Sequence, residues 1–373
     1  ITLVLALGLV ALLLIGAVLQ TGARAQEQQQ DPAPAQDKGR PRRTNDQPQT
    51  TPSPKASPKK DDDVTLQDDE VVRVETDLTN ILFTAADKQK RFVTNLKQED
   101  ISITEDGRPQ EVFTFARQTD LPLSLAILID TSVSEERTLP IEKAAAGSFV
   151  DAVIRSDKDE AAVISFTGDA TLEQNLTGNA SRVRRALDHV EFVPPSGYIG
   201  NGQVAGTPPA NGQSRQGSTA IWDAIWVTSD EILSQTSDKT RRAIILLTDG
   251  QDTSSRKQMD EAIDRALKSD AVIYSIGIGD EYYSGINKGS LRKISERTGG
   301  RAFFPEDESE LRAAFAQIQE ELRSQYLIAY SPTNKSKDGS FRKVQIEIVN
   351  PELRKQNLRL TYRQGYFAKT RSK

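Results

Sequence analysis

The sequence lacks cysteine entirely and holds a single histidine, His189, among its 373 residues. These absences exclude disulfide frameworks, thiolate zinc sites and cysteine nucleophiles, and they restrict histidine-dependent catalysis to one residue. A metal site in this chain must therefore be built mainly from oxygen ligands. Hard divalent cations such as Mg²⁺ prefer such ligands.

An excess of basic charge is also missing, because 48 Lys and Arg residues stand against 53 Asp and Glu residues, for a formal net charge of −5. Dedicated nucleic-acid-binding domains carry a strongly basic face, so this balance argues against nucleic acid as a partner. Hydrophobic residues make up only 36% of the chain, below the roughly 45–50% of globular proteins, a figure that also counts glycine. Part of the chain therefore does not form a core.

The N-terminal 67 residues do not have the pattern of a folded domain, and residues 26–67 contain few hydrophobic residues. Residues 1–19 are almost wholly apolar and Ala23-Arg24-Ala25 follows, which predicts a signal peptide over residues 1–25 or, since 19 residues approach a membrane span, an uncleaved anchor. Both alternatives place the remainder outside the cytoplasm, as a secreted, periplasmic or membrane-anchored protein. Residues 26–67 are rich in Gln, Pro, Asp, Lys, Ser and Thr and predict a disordered tether.

The rest of the chain has a β–α/β–β organisation. Short strand patterns occupy 70–118, with a hairpin signal at Asp106-Gly107, and alternating strand patterns return over 326–369. Between them, over 121–325, continuous apolar strands alternate with helical patterns, which is typical of a parallel sheet covered on both faces. Each β flank is too small to be stable alone, so we expect the two to pair. The predicted class is α/β, a doubly wound, mostly parallel, Rossmann-like sheet inserted in a small discontinuous β-sandwich-like domain.

The pattern within the central block predicts six strands and six helices. The strands are expected at 123–130, 160–166, 170–176, 242–248, 271–278 and 302–304, and the helices at 140–154, 181–190, 220–233, 257–267, 290–297 and 308–322. Open parallel sheets bind ligands at the carboxyl ends of their strands, so those ends are the places to search for a site.

Oxygen-bearing side chains occur at three such positions. The first strand runs into Asp130-Thr131-Ser132-Val133-Ser134, Thr219 opens a helix, and a later strand ends at Asp249. Asp130, Ser132 and Ser134 alternate along one loop and can therefore point the same way. Five oxygen side chains with only two carboxylates suit Mg²⁺, with Mn²⁺ or Ca²⁺ as alternatives. The plain alternative is that Asp130, Thr219 and Asp249 only cap loops and helices.

The order Asp-x-Ser-x-Ser, Thr, Asp-Gly resembles the metal-ion-dependent adhesion site of the von Willebrand factor type A (VWFA) domain. The resemblance implies direct metal contacts from Ser132, Ser134 and Thr219, with Asp130 and Asp249 acting largely through water. It also implies a non-enzymatic adhesion module. Because neutral hydroxyls leave the cation under-neutralised, the site is expected to take a Glu or Asp carboxylate from a partner protein.

The segments outside the central block carry a further resemblance. The motifs Thr104-Glu105-Asp106-Gly107 and Gly365-Tyr366-Phe367 are similar to those of the VWFA-related proteins described mainly in Acidobacteria. Together with the central block, the resemblance extends over essentially everything after the tether.

Two other functions remain open at this point. A phosphohydrolase of the haloacid-dehalogenase type also begins with an aspartate at the end of its first strand, but it requires a second aspartate where Ser132 stands. A structural envelope protein with a vestigial metal site is the other. Glu135 and Glu136 are expected to be solvated rather than ligands. The loop over 194–216, rich in Gly, Asn, Gln and Pro, is expected either to border the binding face and tune partner choice or to be an inert insertion.

Overall fold

The computed structural model describes residues 78–118, 120–194, 199–200, 203–204, 218–279 and 285–370. The predicted signal or anchor at 1–25, the tether at 26–67 and most of the 194–216 loop lie outside these residues. Among the helices that the model describes, none is long and apolar enough to cross a membrane.

Sixteen strands and seven α-helices are assigned within the described residues. The strands are β1 (Thr79–Ala86), β2 (Ile101–Glu105), β3 (Arg108–Pro109), β4 (Val112–Gln118), β5 (Leu123–Asp130), β6 (Glu160–Phe166), β7 (Ala170–Thr177), β8 (Ile199–Gly200), β9 (Gln203–Val204), β10 (Arg241–Thr248), β11 (Ala271–Gly277), β12 (Ala302–Phe303), β13 (Gln325–Tyr330), β14 (Phe341–Ile348), β15 (Arg359–Tyr362) and β16 (Gly365–Phe367). The helices are α1 (Leu139–Val153), α2 (Ala180–His189), α3 (Ile221–Val227), α4 (Met259–Lys268), α5 (Lys288–Thr298), α6 (Glu308–Arg323) and α7 (Pro351–Lys355).

A six-stranded sheet forms the centre of the α/β part, in the order β12-β11-β10-β5-β6-β7. Its strands are parallel except for the edge strand β7, which runs antiparallel to β6. Every residue of β5 and β10 is buried, because helices α1, α2 and α6 cover one face of the sheet and α3, α4 and α5 cover the other. Strands with two covered faces are mostly apolar, which is why the middle of each of these strands appears as a hydrophobic run.

The β segments on either side of this block pair with each other. One antiparallel sheet has the order β15-β1-β13-β4 and the other β16-β14-β2-β3, so strands that precede the block lie beside strands that follow it. The sheets share an apolar core that includes Phe83, Ile103, Tyr326 and Val344. The predicted fold class is therefore confirmed. The limits 70–118, 121–325 and 326–369 remain predictions.

Arg241 joins the two connections between the α/β block and the β-sandwich. Its guanidinium donates to the carbonyl oxygen of Leu121 at 2.9 Å, where the chain enters the block. It also donates to the carbonyl of Leu322 and to Oε1 of Gln325, where the chain leaves. The side chain is 8% exposed and its Nε has no hydrogen-bond partner, so these contacts satisfy part of a buried charge at the end of the sheet opposite the strand ends that carry the predicted site.

The helix expected over 220–233 is shorter than predicted. Helix α3 ends at Val227, a single π-helical turn follows over Thr228–Ile232, and a 3₁₀ turn ends the segment at Gln235. The apolar spacing of the segment does not distinguish these helix types, since they all place every third to fifth residue on one side.

Candidate metal centre

The carboxyl ends of β5 and β10, the two central strands, position the first acidic residue. The parallel register places Ile129 beside Leu247, so Asp130 and Thr248 end their strands as neighbours. Thr248 Oγ1 donates to Asp130 Oδ2 at 2.6 Å, and the backbone N–H of Ser132 donates to Asp130 Oδ1 at 2.9 Å. Both oxygens of this fully buried carboxyl group are thus held by the protein.

The two serines lie on the turn that follows. Ser132 precedes a 3₁₀ turn over Val133–Glu135, and this tight turn brings Ser132 Oγ and Ser134 Oγ to 3.2 Å from each other. Two ligands in adjacent positions of an octahedral Mg²⁺, each about 2.1 Å from the ion, lie about 3 Å apart. The serine hydroxyls therefore have the spacing of neighbouring ligands.

Asp249 enters from the loop after β10 and is 4% exposed. Its Oδ1 accepts from the backbone N–H of Gln251 at 2.8 Å, and its carbonyl oxygen accepts from the N–H of Asn287 at 2.7 Å. A hydrogen bond from Ser134 also reaches its carboxylate. Asp249 is thereby linked to the serine turn.

Thr219 is held through its backbone at the start of α3. Its N–H donates to Thr253 Oγ1 at 2.8 Å, and its carbonyl oxygen accepts from the N–H groups of Thr253 and Ser254 at 2.9 and 3.0 Å. These bonds fasten Thr219 to the loop that follows Asp249. The structure thus brings Asp130, Ser132, Ser134 and Asp249 together by side-chain contacts and ties Thr219 to the same loop cluster.

Glu135 was expected from the sequence to be solvated, and this prediction is wrong. It is fully buried rather than solvated, and one carboxylate oxygen each from Asp130, Glu135 and Asp249 lies within 4.8 Å of the others. Its Oε2 accepts from Thr138 Oγ1 at 2.8 Å, whereas its Oε1 has no hydrogen-bond partner. Glu136 is half-buried.

A fourth carboxyl group, that of Glu142 on α1, lies behind Glu135. It is also fully buried, and it lies within hydrogen-bonding reach of the side chains of Thr138 and Glu135. A spacing signal could have found both residues: Glu135, Thr138 and Glu142 continue, towards the N-terminus, the stripe on which α1 buries Ala145 and Phe149. Side chains three and four residues apart share one side of a helix, so this stripe points inward.

Burial sets the electrostatics of the centre. Desolvation raises the pKa of Asp130 to about 7, opposed by the hydrogen bonds from Thr248 and Ser132. Desolvation likewise raises the pKa of Glu142 to about 7 and the pKa of Asp249 above its usual value. The pKa of Glu135 is raised strongly, by burial first and then by the neighbouring charge of Glu142.

The donor set fits a hard divalent cation. Among the described residues, no Lys or Arg forms an ion pair with Asp130, Glu135, Glu142 or Asp249. Buried carboxylates without a cationic partner are costly, and a bound metal ion relieves that cost. The orphaned Oε1 of Glu135 and the paired serine hydroxyls are the observations that support a cation here.

Family models match the part of the chain that carries this centre. Two models of the von Willebrand factor type A domain match the chain, one over residues 125–251 and the other over 210–318. Together they span 125–318, more than half of the 373 residues. The chain is a von Willebrand factor type A domain protein. Such VWFA domains commonly bind a divalent metal at an adhesion site of this type, and they generally act as interaction modules rather than as enzymes.

Solved structures show more distant likeness. Proximal thread matrix protein 1 from the mussel byssus is 20% identical with a TM-score of 0.45, over 59% of this chain and 51% of its own, so the chain spans about half of that protein's length. A von Willebrand factor type A protein from Catenulispora acidiphila is 15% identical with a TM-score of 0.44, over 75% of this chain and 76% of its own. An aerotolerance-related membrane protein from Bacteroides fragilis is 18% identical with a TM-score of 0.40, over 54% and 98%. Comparison with curated proteins gives no match.

Proposed function

We propose that this VWFA protein is a metal-dependent protein-binding module that takes a Glu or Asp carboxylate of its partner onto a bound Mg²⁺. The ion would be held by Ser132, Ser134 and Thr219, with Asp130 and Asp249 orienting its water ligands. The observation that carries the proposal is the 3.2 Å separation of the two serine hydroxyls beside the buried Asp130 and Asp249. Mn²⁺ or Ca²⁺ would also satisfy an all-oxygen site.

The hydrogen bonds of Asp130 support an indirect role for this residue. Both of its carboxylate oxygens already accept hydrogen bonds, from Thr248 Oγ1 and from the Ser132 N–H. Groups that hold and orient the ligands of a metal tune its affinity without touching it. The direct protein ligands would then be neutral hydroxyls. Because these do not compensate the positive charge of the cation, it would attract an anionic group from outside.

The location that goes with this function is outside the cytoplasm. The support is the apolar segment over residues 1–19 with Ala23-Arg24-Ala25 behind it, which is the pattern of a signal peptide or an anchor. Fractionation of the producing cells, with detection of residues beyond the tether, tests this location. Recovery in the cytoplasmic fraction alone would contradict it.

Affinity capture of partners tests the binding function. The full chain is immobilised and exposed to the envelope fraction and medium of the producing cells, in Mg²⁺ and in chelator, beside the variant Thr219→Ala. We expect specific proteins to be captured in Mg²⁺ and to be lost both in chelator and with Thr219→Ala. Thr228→Val is the matched control, because the Thr228 hydroxyl is buried and has no hydrogen-bond partner. If the same proteins are captured in Mg²⁺, in chelator and with Thr219→Ala, the metal site is vestigial and the protein has a structural role.

A further inference from the structure

The orphaned oxygen of Glu135 is the feature of this centre that the proposed function does not use. Oε2 of Glu135 is occupied by the Thr138 hydroxyl at 2.8 Å, and Oε1 is buried with no partner. A buried, unpartnered carboxylate oxygen costs the full desolvation of that atom unless something binds it. The neighbouring acidic groups, Glu142 first and then Asp130 and Asp249, offer only further negative charge when they are ionised.

Distance shows which groups a carboxylate oxygen of Glu135 approaches. The carboxylate oxygens of Asp130, Glu135 and Asp249 lie within 4.8 Å of one another. Ligands on opposite sides of a divalent ion, with bonds of about 2.1–2.6 Å, are roughly 4.2–5.2 Å apart. One cation can therefore reach oxygens from all three groups, while the serine hydroxyls approach from the same turn.

We propose that Glu135 is a further carboxylate ligand of the metal ion and that it competes with the acidic side chain of a partner. This rests on the proposed function, because it assigns Glu135 to that same ion. Asp130 and Asp249 contribute two negative charges from behind the water ligands, so the cation still attracts one anionic group from outside. Glu135 adds a third, which leaves the centre formally at −1 and repels an incoming carboxylate. Release of Glu135 from the ion would then be a condition for tight binding of the partner.

Calorimetric titration of the metal-free full chain with Mn²⁺ tests the ligand role. The variant is Glu135→Gln, which keeps the size of the side chain and removes its charge. The control is Glu321→Gln, which removes the same charge from a buried carboxyl group that lies away from the centre, on α6 beside Arg301. We expect Glu135→Gln to raise the Mn²⁺ Kd at least about tenfold and Glu321→Gln to leave it unchanged. Unchanged affinity in Glu135→Gln, or an equal loss in both variants, would overturn direct ligation.

A second variant keeps the test decisive if Glu135→Gln does not fold. Glu135→Asp retains the charge but withdraws the oxygens by one methylene, and it should also weaken Mn²⁺ binding.

The variant Asp249→Asn distinguishes failure of the proposed function from failure of the role of Glu135. Wild-type protein that binds no Mn²⁺ contradicts the proposed function itself. Wild-type protein that loses Mn²⁺ with Asp249→Asn, while both Glu135 variants bind normally, contradicts only the role of Glu135.

Competition is measured with acetate as the probe for a partner carboxylate. Water-proton relaxation reports the displacement of water from bound Mn²⁺ as acetate is added. Acetate should bind the Mn²⁺-loaded Glu135→Gln variant at least about fivefold more tightly than the loaded wild type. Equal or weaker binding of acetate to the variant would show that Glu135 does not oppose an external carboxylate.

Discussion

Thr248 and Asp130 face each other across the two central strands, with Thr248 Oγ1 donating to Asp130 Oδ2 at 2.6 Å. The Ser132 N–H holds the other oxygen at 2.9 Å, so the carboxylate cannot rotate without breaking a buried hydrogen bond. The same Thr248 hydroxyl accepts from the N–H of Gly250 at 3.1 Å. One side chain thereby joins the loop that carries Asp249 to the strand that carries Asp130.

Thr248→Val removes this hydroxyl with little change in shape. We expect Mg²⁺ affinity to fall about tenfold or more, because Asp130 loses the donor that orients it. Calorimetric titration of wild type and variant measures the change. Thr228→Val removes a buried hydroxyl that makes no hydrogen bond, and it should leave the affinity unaltered. Equal Mg²⁺ affinity in Thr248→Val and wild type would show that the contact does not support the metal site.

The pH dependence of stability should differ with and without metal. Burial raises the pKa of Asp130 from 3.8 to about 7 and that of Glu142 from 4.5 to about 7. The folded chain therefore binds more protons than the unfolded chain between about pH 4 and pH 7, and the free energy of unfolding falls as pH rises through that window. In chelator, the unfolding temperature should drop between pH 5 and pH 7.5. Saturating Mg²⁺, which binds the ionised carboxylates, should reduce or reverse the drop.

Glu321 provides the control for this experiment. Burial raises its pKa to about 7 as well, but it lies on α6 beside Arg301 rather than at the metal centre. In chelator, Glu321→Gln should make the fall in unfolding temperature with pH smaller, because one carboxyl group with a raised pKa is gone. The effect of Mg²⁺ on the unfolding temperature should remain. If Mg²⁺ leaves the stability of the wild type unchanged at every pH, the buried carboxyl groups do not form a cation site.

The central sheet could be predicted from sequence because its strands are buried on both faces. Strands β5 and β10 are largely apolar, and their carboxyl ends carry Asp130 and Thr248. Pairing of the β flanks followed from stability, since neither flank can bury a core alone. The π turn after α3 could not be predicted, because its apolar positions also fit a regular helix.

The immediate neighbours of Glu135 in the sequence favour a solvated residue, whereas its spacing to Thr138 and Glu142 favours a buried one. The segment Glu135-Glu136-Arg137 has the charge density of a solvated loop, and only the turn over Val133–Glu135 directs the first of these side chains inward. The structure shows that it continues the buried stripe of α1 through Thr138 and Glu142. Polar members of an otherwise apolar stripe are therefore worth testing as ligands when a metal motif precedes them.

Close packing behind Asp249 offers another test. A Cβ at Gly279 would lie 2.9 Å from Asp249 Cβ, a contact that forces Asp249 to move. Gly279→Ala should weaken Mn²⁺ binding about tenfold and cost about 1–3 kcal/mol of stability from overpacking. Gly289→Ala is the matched control, because its Cβ would meet only Asn287 Oδ1 at 3.7 Å. Gly289 lies in α5, where alanine is a better helix former than glycine, so this substitution should stabilise the protein by up to about 1 kcal/mol. Unchanged metal binding in Gly279→Ala, measured by calorimetry, would contradict the placement of Asp249.

The discontinuous β-sandwich can be tested through Glu105. Its buried carboxylate accepts hydrogen bonds from Tyr330 Oη and Tyr366 Oη, both at 2.8 Å, and these tyrosines follow the α/β block in the chain. Tyr330→Phe should lower the free energy of urea unfolding by about 1–3 kcal/mol. The double variant with Tyr366→Phe should lose more than the sum of the single losses, because Glu105 is then left without either donor. A double variant that is as stable as the wild type would contradict the pairing of the β segments before and after the α/β block.

We expect a divalent cation among the oxygens at the ends of β5 and β10. The most direct measurement is the anomalous difference map of a crystal of the full chain grown with Mn²⁺. A peak should lie about 2.0–2.6 Å from the hydroxyl oxygens of Ser132, Ser134 and Thr219. A map with no Mn²⁺ peak within about 4 Å of these hydroxyls, at saturating Mn²⁺, would contradict it.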